Sequence, residues 1–93
     1  MTASYDLSIK ESAARELKAL PRNDLRRITR RIHALAIDPR PFGCEKLAGD
    51  IGYRIRQGDY RVVYTVDDEK RLAEIVKIGH RRKSTAKPPL EFS

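Results

Sequence analysis

The sequence has no tryptophan and one cysteine, Cys44. A single thiol excludes an internal disulfide, and with it the stapled scaffold of small secreted domains. It also excludes a cysteine-based metal site. No His/Cys/carboxylate cluster has metal-ligand spacing, and no Walker-type glycine loop is present, so neither metal nor cofactor is expected. No apolar run approaches the ~20 residues of a membrane helix. The start, "MTASYDLSIKES", lacks a basic segment leading into an apolar core, so no secretory signal is expected. Internal repeats and low-complexity tracts are absent too. A reducing, cytoplasmic setting fits these absences.

Negative charge is also scarce. Twenty Lys/Arg face 13 Asp/Glu, giving a net charge of +7 and a pI near 9.9. Residues 53–87 hold ten basic against five acidic side chains, a net of +5, while residues 1–52 hold ten against seven, a net of +3. Such a balance favours polyanionic partners: nucleic acid, an acidic protein or an anionic membrane surface.

What remains is a 93-residue chain, the size of one domain with a modest core. "YDLSI" (5–9) alternates like a short strand. Ser8 and Glu11 are spaced as a capping box for a helix running to about Ala19, with Ala13, Leu17 and Leu20 inward. Pro21 suits the first position of a second helix or the turn before it. That helix is expected over 22–37, because Leu25, Ile28, Ile32 and Leu35 form one apolar stripe. Asp38-Pro39 and Pro41 stop it. An irregular connector, 38–52, follows. The period then changes to two, and strands are expected at 53–57, 60–66 and 71–78, the last two joined by the turn "DDEK". The order β-α-α-β-β-β predicts an α+β fold: a small antiparallel sheet with two N-terminal helices on one face. The tail from Ser84, with "KPPLEFS", is expected to be loosely ordered beyond a domain at 1–83.

The hairpin "YRIRQGDYRVVY" carries the sharpest signal. Gly at the first central position of Gly58-Asp59 suits a type II′ turn. Counting outward pairs Gln57 with Tyr60, Arg56 with Arg61, Ile55 with Val62 and Tyr53 with Tyr64. Alternation then puts Tyr53, Ile55, Val62 and Tyr64 on the helix side. Arg54, Arg56 and Arg61 share the other face. Like charges opposed across a hairpin are destabilising. Keeping them means either a harmless solvated face or an anion site. No carboxylate on the same face is apparent, which favours a phosphate. The third strand ends in "IGHRRK", near the turn, so His80 and Arg81 are expected beside Arg56 and Arg61.

"KLAGDIGYRIRQGDYRVVYTVDDEK", followed by "VKIGHRR", resembles the RelE/ParE superfamily of bacterial type II toxins, and within it the RelE branch. The likeness covers about 46–82, and the element order extends it over most of the chain. It implies a microbial-RNase-like fold, cleavage of mRNA in the ribosomal A site, and neutralisation by a cognate antitoxin. Operator DNA would be met only through the toxin–antitoxin complex. The resemblance puts Arg54, Arg56, Arg61 and Arg81 at basic positions that bind the scissile phosphate, with Lys46 and Lys83 as further RNA contacts. Many relatives carry a tyrosine shortly after the final arginine; this chain reads "HRRKSTAKPP" there. The resemblance leaves two other functions open: a ParE-like gyrase poison, and a non-catalytic co-repressor that binds an antitoxin.

Cleaving RNA without a metal needs a base, an acid and stabilised phosphoryl charge. Arginine supplies the last and, staying protonated, serves the first two poorly. His80 is the group near the cluster whose ordinary pKa lies near neutrality, so proton transfer is assigned to it, against the plainer role of a turn residue bonding locally. His33 and the run "RRITRR" (26–31) fall on the second helix. Solvated surface is the plainer expectation for them, and contact with RNA the sharper one.

Overall fold

The computed structural model describes residues 4–47, 49 and 52–80. The expectations for Arg81, Lys83 and the 84–93 tail lie outside the described residues. β1 (Asp6–Ile9) is followed by α1 (Glu11–Lys18), α2 (Arg22–Leu35), β2 (Glu45–Lys46), β3 (Tyr53–Gln57), β4 (Tyr60–Asp67) and β5 (Leu72–His80). The strands form one five-stranded sheet in the order β1-β5-β4-β3-β2. β2 to β5 pair antiparallel, and β1 joins the edge of β5 in parallel. The α+β class is therefore as expected, with a parallel edge added. All the other elements lie between β1 and β5 in the chain, a connection long enough for a parallel neighbour, which a tight turn cannot reach.

Ser8 lies within β1, and α1 opens at Lys10 with no side-chain cap. The expected capping box does not form, because pairing of Ser8 opposite Glu74 takes its backbone into the sheet. α2 opens at Pro21, whose carbonyl accepts from Leu25 N at 2.8 Å. It stops at Leu35, two residues earlier than expected, where Ile37 N and Asp38 N both turn back to Ala34 O. Asp38-Pro39 prevents another turn.

Three of the four residues of the α2 stripe pack on the sheet as their spacing requires, while Leu25 is half-buried outside the core cluster. Ile28, Ile32 and Leu35 join Ala13, Ile55, Val62, Tyr64, Ile75 and Ile78 in one buried cluster. Each large aliphatic side chain buried there contributes roughly 1.5–3 kcal/mol. Tyr64 stands at its centre, stacked on Tyr53 with centroids 5.8 Å apart. Its hydroxyl donates to Pro39 O at 2.6 Å, tying the connector to the sheet. Burial pushes this phenol well above its ordinary pKa.

Neither edge of the sheet is left as a long open strand. β1 ends at Ile9, and Lys10 N makes the last bond to β5, at Ile75 O. Glu16 of α1 takes over: one carboxylate oxygen accepts from Ile78 N at 2.8 Å and the other from Lys77 Nζ at 3.1 Å. On the far edge, β2 has only two residues, a length that discourages further pairing.

Gly52 leads into β3 with φ +141°, and a Cβ there would sit 2.5 Å from Tyr64 O. The neighbour is backbone and cannot yield. Gly52→Ala is expected to cost about 1–3 kcal/mol, read as a lower urea midpoint with an unchanged slope.

Candidate nucleic-acid interface

The hairpin register is as counted: Tyr53↔Tyr64, Arg54↔Val63, Ile55↔Val62, Arg56↔Arg61 and Gln57↔Tyr60. Gly58 has φ +62°, and Asp59 is not at positive φ, which is the type II′ pattern. Arg54, Arg56 and Arg61 thus share the sheet face opposite the two described helices. Arg56 is exposed and Arg61 half-buried.

Pairing places two rows at the hairpin end of this face. Nearest the turn run Arg56, Arg61 and Gly79. One step further run Glu45, Arg54, Val63 and Lys77. Adjacent strands lie ~4.8 Å apart, so the Arg56 and Arg61 guanidinium groups can reach one anion together. Gly79 raises no side chain beside Arg61, which leaves room for a ligand to approach the backbone of β5.

Arg54 is not the open cation that the sequence suggested. Its guanidinium donates twice to Glu45 Oε1. That contact, with the nearby charge of Arg54 and then Arg56, holds the Glu45 carboxyl below its ordinary range. Arg56 and Arg61 form no ion pair with a described residue, and they are the pair left to hold an anion.

His80 is not beside them. It pairs with Tyr60, its ring meeting the Tyr60 ring edge-on at 4.8 Å, and Tyr60 OH donates to Asp24 of α2 at 3.3 Å. His80 therefore lies on the helix side of the sheet. The cause is a bulge. Val63 pairs with Lys77 and Tyr64 with Ile75, so Val76 is an extra residue in β5. One extra residue sends every later side chain to the opposite face. Ile78 and His80 go inward, and Lys77 and Gly79 go outward. Lys46, opposite Tyr53, is also on the helix side.

At the other end of the sheet, Asp68 Oδ1 accepts from Tyr5 OH at 2.6 Å and from Arg40 at 2.8 Å. Arg40 also lies over the Tyr53 ring, 5.7 Å from its centroid. These contacts brace the connector against the β4–β5 turn. The Tyr5 and Arg40 hydrogen bonds hold the Asp68 carboxyl below its ordinary range. A carboxyl with a depressed folded-state pKa stabilises the fold above the unfolded value, ~3.9, and loses that contribution as pH falls through the folded one. Thermal melts of Asp68→Asn are therefore expected to fall below wild type at neutral pH and to converge on it under acid.

The matches to known proteins agree with this architecture. The family model for the ParE toxin of the parDE type II toxin–antitoxin system matches residues 7–85. The toxin RelE of Mycobacterium tuberculosis is 34% identical over 83 residues, 86% of this chain and 84% of that protein. The protein of Methanocaldococcus jannaschii named as toxin RelE1 is 32% identical over 88 residues, 90% of this chain and 98% of that protein. Among solved structures, the archaeal RelE–RelB complex of Pyrococcus horikoshii aligns with a TM-score of 0.75 at 32% identity, over 84% of this chain and 96% of that one. The RelBE2 toxin–antitoxin complex of M. tuberculosis aligns with a TM-score of 0.75 at 25% identity, over 87% and 95%.

Fold and relatives together define a type II toxin domain. The chain belongs to the ParE toxin family of the RelE/ParE superfamily, and the relatives named above are RelE proteins.

Proposed function

We propose that this toxin is a ribosome-dependent endoribonuclease that cuts mRNA in the A site and is neutralised by an acidic, RelB-like antitoxin. The observation that carries this is the Arg56–Arg61 pair, opposed beside Gly79 on the sheet face away from α1 and α2. Two guanidinium forks side by side suit the paired oxygens of a phosphodiester.

In the reaction, the 2′-oxygen next to the scissile bond attacks phosphorus, and the bond from phosphorus to the 5′-oxygen breaks. The 2′-hydroxyl gives up one proton and the leaving oxygen gains one. The products are a 2′,3′-cyclic phosphate and a 5′-hydroxyl. Arg56 and Arg61 would hold the phosphoryl oxygens as charge builds on them. Arg54, partly neutralised by Glu45, would steer the adjoining strand. Among the described residues no imidazole lies on this face, so their contribution is orientation and charge stabilisation. His80 would act from the other side of the sheet, by packing on Tyr60 at the end of β5. Arg81 and Lys83 are further phosphate ligands in this proposal.

The family model's ParE description favours one competing function, poisoning of DNA gyrase. Mapping RNA ends and DNA breaks after induced expression separates the two. Cuts within translated codons support the nuclease; double-strand breaks with intact mRNA support gyrase.

A further inference from the structure

The sheet face is not the chain's only cationic surface. The apolar stripe of α2 points at the sheet, and its opposite side carries Arg22, Arg26, Arg27 and Arg30, all exposed. Arg22, Arg26 and Arg30 are four residues apart, so they stand in one row at steps of about 6 Å along the helix. Like charges at this spacing destabilise a helix. Among the described residues no carboxylate pairs with any of the four. The one acidic residue of the helix, Asp24, instead accepts from Tyr60 OH. Arg31 is different: its Nε is shut away from solvent, which places it on the packing side.

We propose that this outer face of α2 binds the sugar–phosphate backbone of double-stranded RNA. Its charge complements a phosphate row, and no described residue neutralises it. The face carries no Phe, Tyr or Trp on which unpaired bases could stack, as surfaces for single strands do. A rigid row of guanidinium groups fits a backbone read by shape. Because α2 lies between this row and the sheet, the row cannot serve the phosphate held by Arg56 and Arg61. The domain would thus grip folded RNA on one side while a single strand lies on the other. The choice of RNA over DNA rests on the function proposed above; the surface itself does not.

The test is binding of the full chain to a blunt RNA duplex of about 16 base pairs, measured against salt. Replacing Arg22, Arg26, Arg27 and Arg30 by Gln keeps helix propensity. This variant is expected to bind at least about tenfold more weakly and to reduce the slope of log K against log salt by about 3, with unchanged circular dichroism. Should the quadruple variant unfold, Arg26→Gln and Arg30→Gln singly should each reduce the slope by about 1. Arg56→Ala/Arg61→Ala should weaken duplex binding and lower the slope clearly less than the α2 variant does. Wild-type binding by the α2 variants would overturn the proposal, as would an equal loss in the sheet variant. Tighter binding to a DNA duplex of the same sequence would overturn the assignment to RNA. None of these readouts depends on cleavage, so the surface can fail or stand separately from the nuclease.

Discussion

Arg61→Ala is expected to lower the single-turnover rate of mRNA cleavage by about 10²–10³-fold, the cost of removing one preorganised donor from a developing anion. Arg61 is chosen over Arg54 because Glu45 already engages Arg54. It is chosen over Arg56 because it is half-buried, and its charge is less screened. The fold should survive. Arg61 opposes another arginine and a glycine, so its removal relieves repulsion rather than breaking a contact. Urea unfolding should therefore show a midpoint at or above wild type. A lower midpoint that accounts for the lost rate would make Arg61 a structural residue.

Ile28→Ala is expected to have the largest effect on stability, about 2–5 kcal/mol. Ile28 is fully buried where α2 meets the sheet. A domain of this size holds only about 5–15 kcal/mol in total, so the variant should sit near the edge of folding. Denaturant melts followed by far-ultraviolet circular dichroism measure this directly. The comparison with Ile37→Ala is informative. Ile37 lies just past the end of α2 and is exposed, so its loss should cost little.

The parts of the fold that sequence reading captured are those governed by local rules. Gly58-Asp59 sets the hairpin count, and the count alone gives the Arg56–Arg61 pair. The spacing of Ile28, Ile32 and Leu35 gives the inner face of α2. The parts missed depend on partners distant in sequence. Glu45 lies in a connector of Pro and Gly with no period, and its two-residue strand becomes a strand only beside Arg54. Glu16 looks like any charged helix residue until the uncovered edge of β5 meets it. The bulge did leave a trace. Ile75 and Ile78 are three apart with Lys77 between them, and an unbroken strand cannot bury both. Noticing that odd interval would have moved His80 to the helix side, placed Gly79 beside Arg61, and drawn Lys77 onto the open face. No comparable signal marks the parallel pairing of β1, whose partner β5 is the last strand in the chain.

The acid sensitivity expected from Asp68 and the clash expected at Gly52 concern the scaffold. The arginine face is tested on RNA itself. The most direct measurement places a defined codon in the A site of stalled ribosomes, adds the purified chain, and follows the length of a labelled mRNA. One cut within that codon is expected, absent without ribosomes and abolished in Arg56→Ala/Arg61→Ala. Intact mRNA under these conditions, or cleavage undiminished in the double variant, would contradict the assignment of the arginine face to the scissile phosphate.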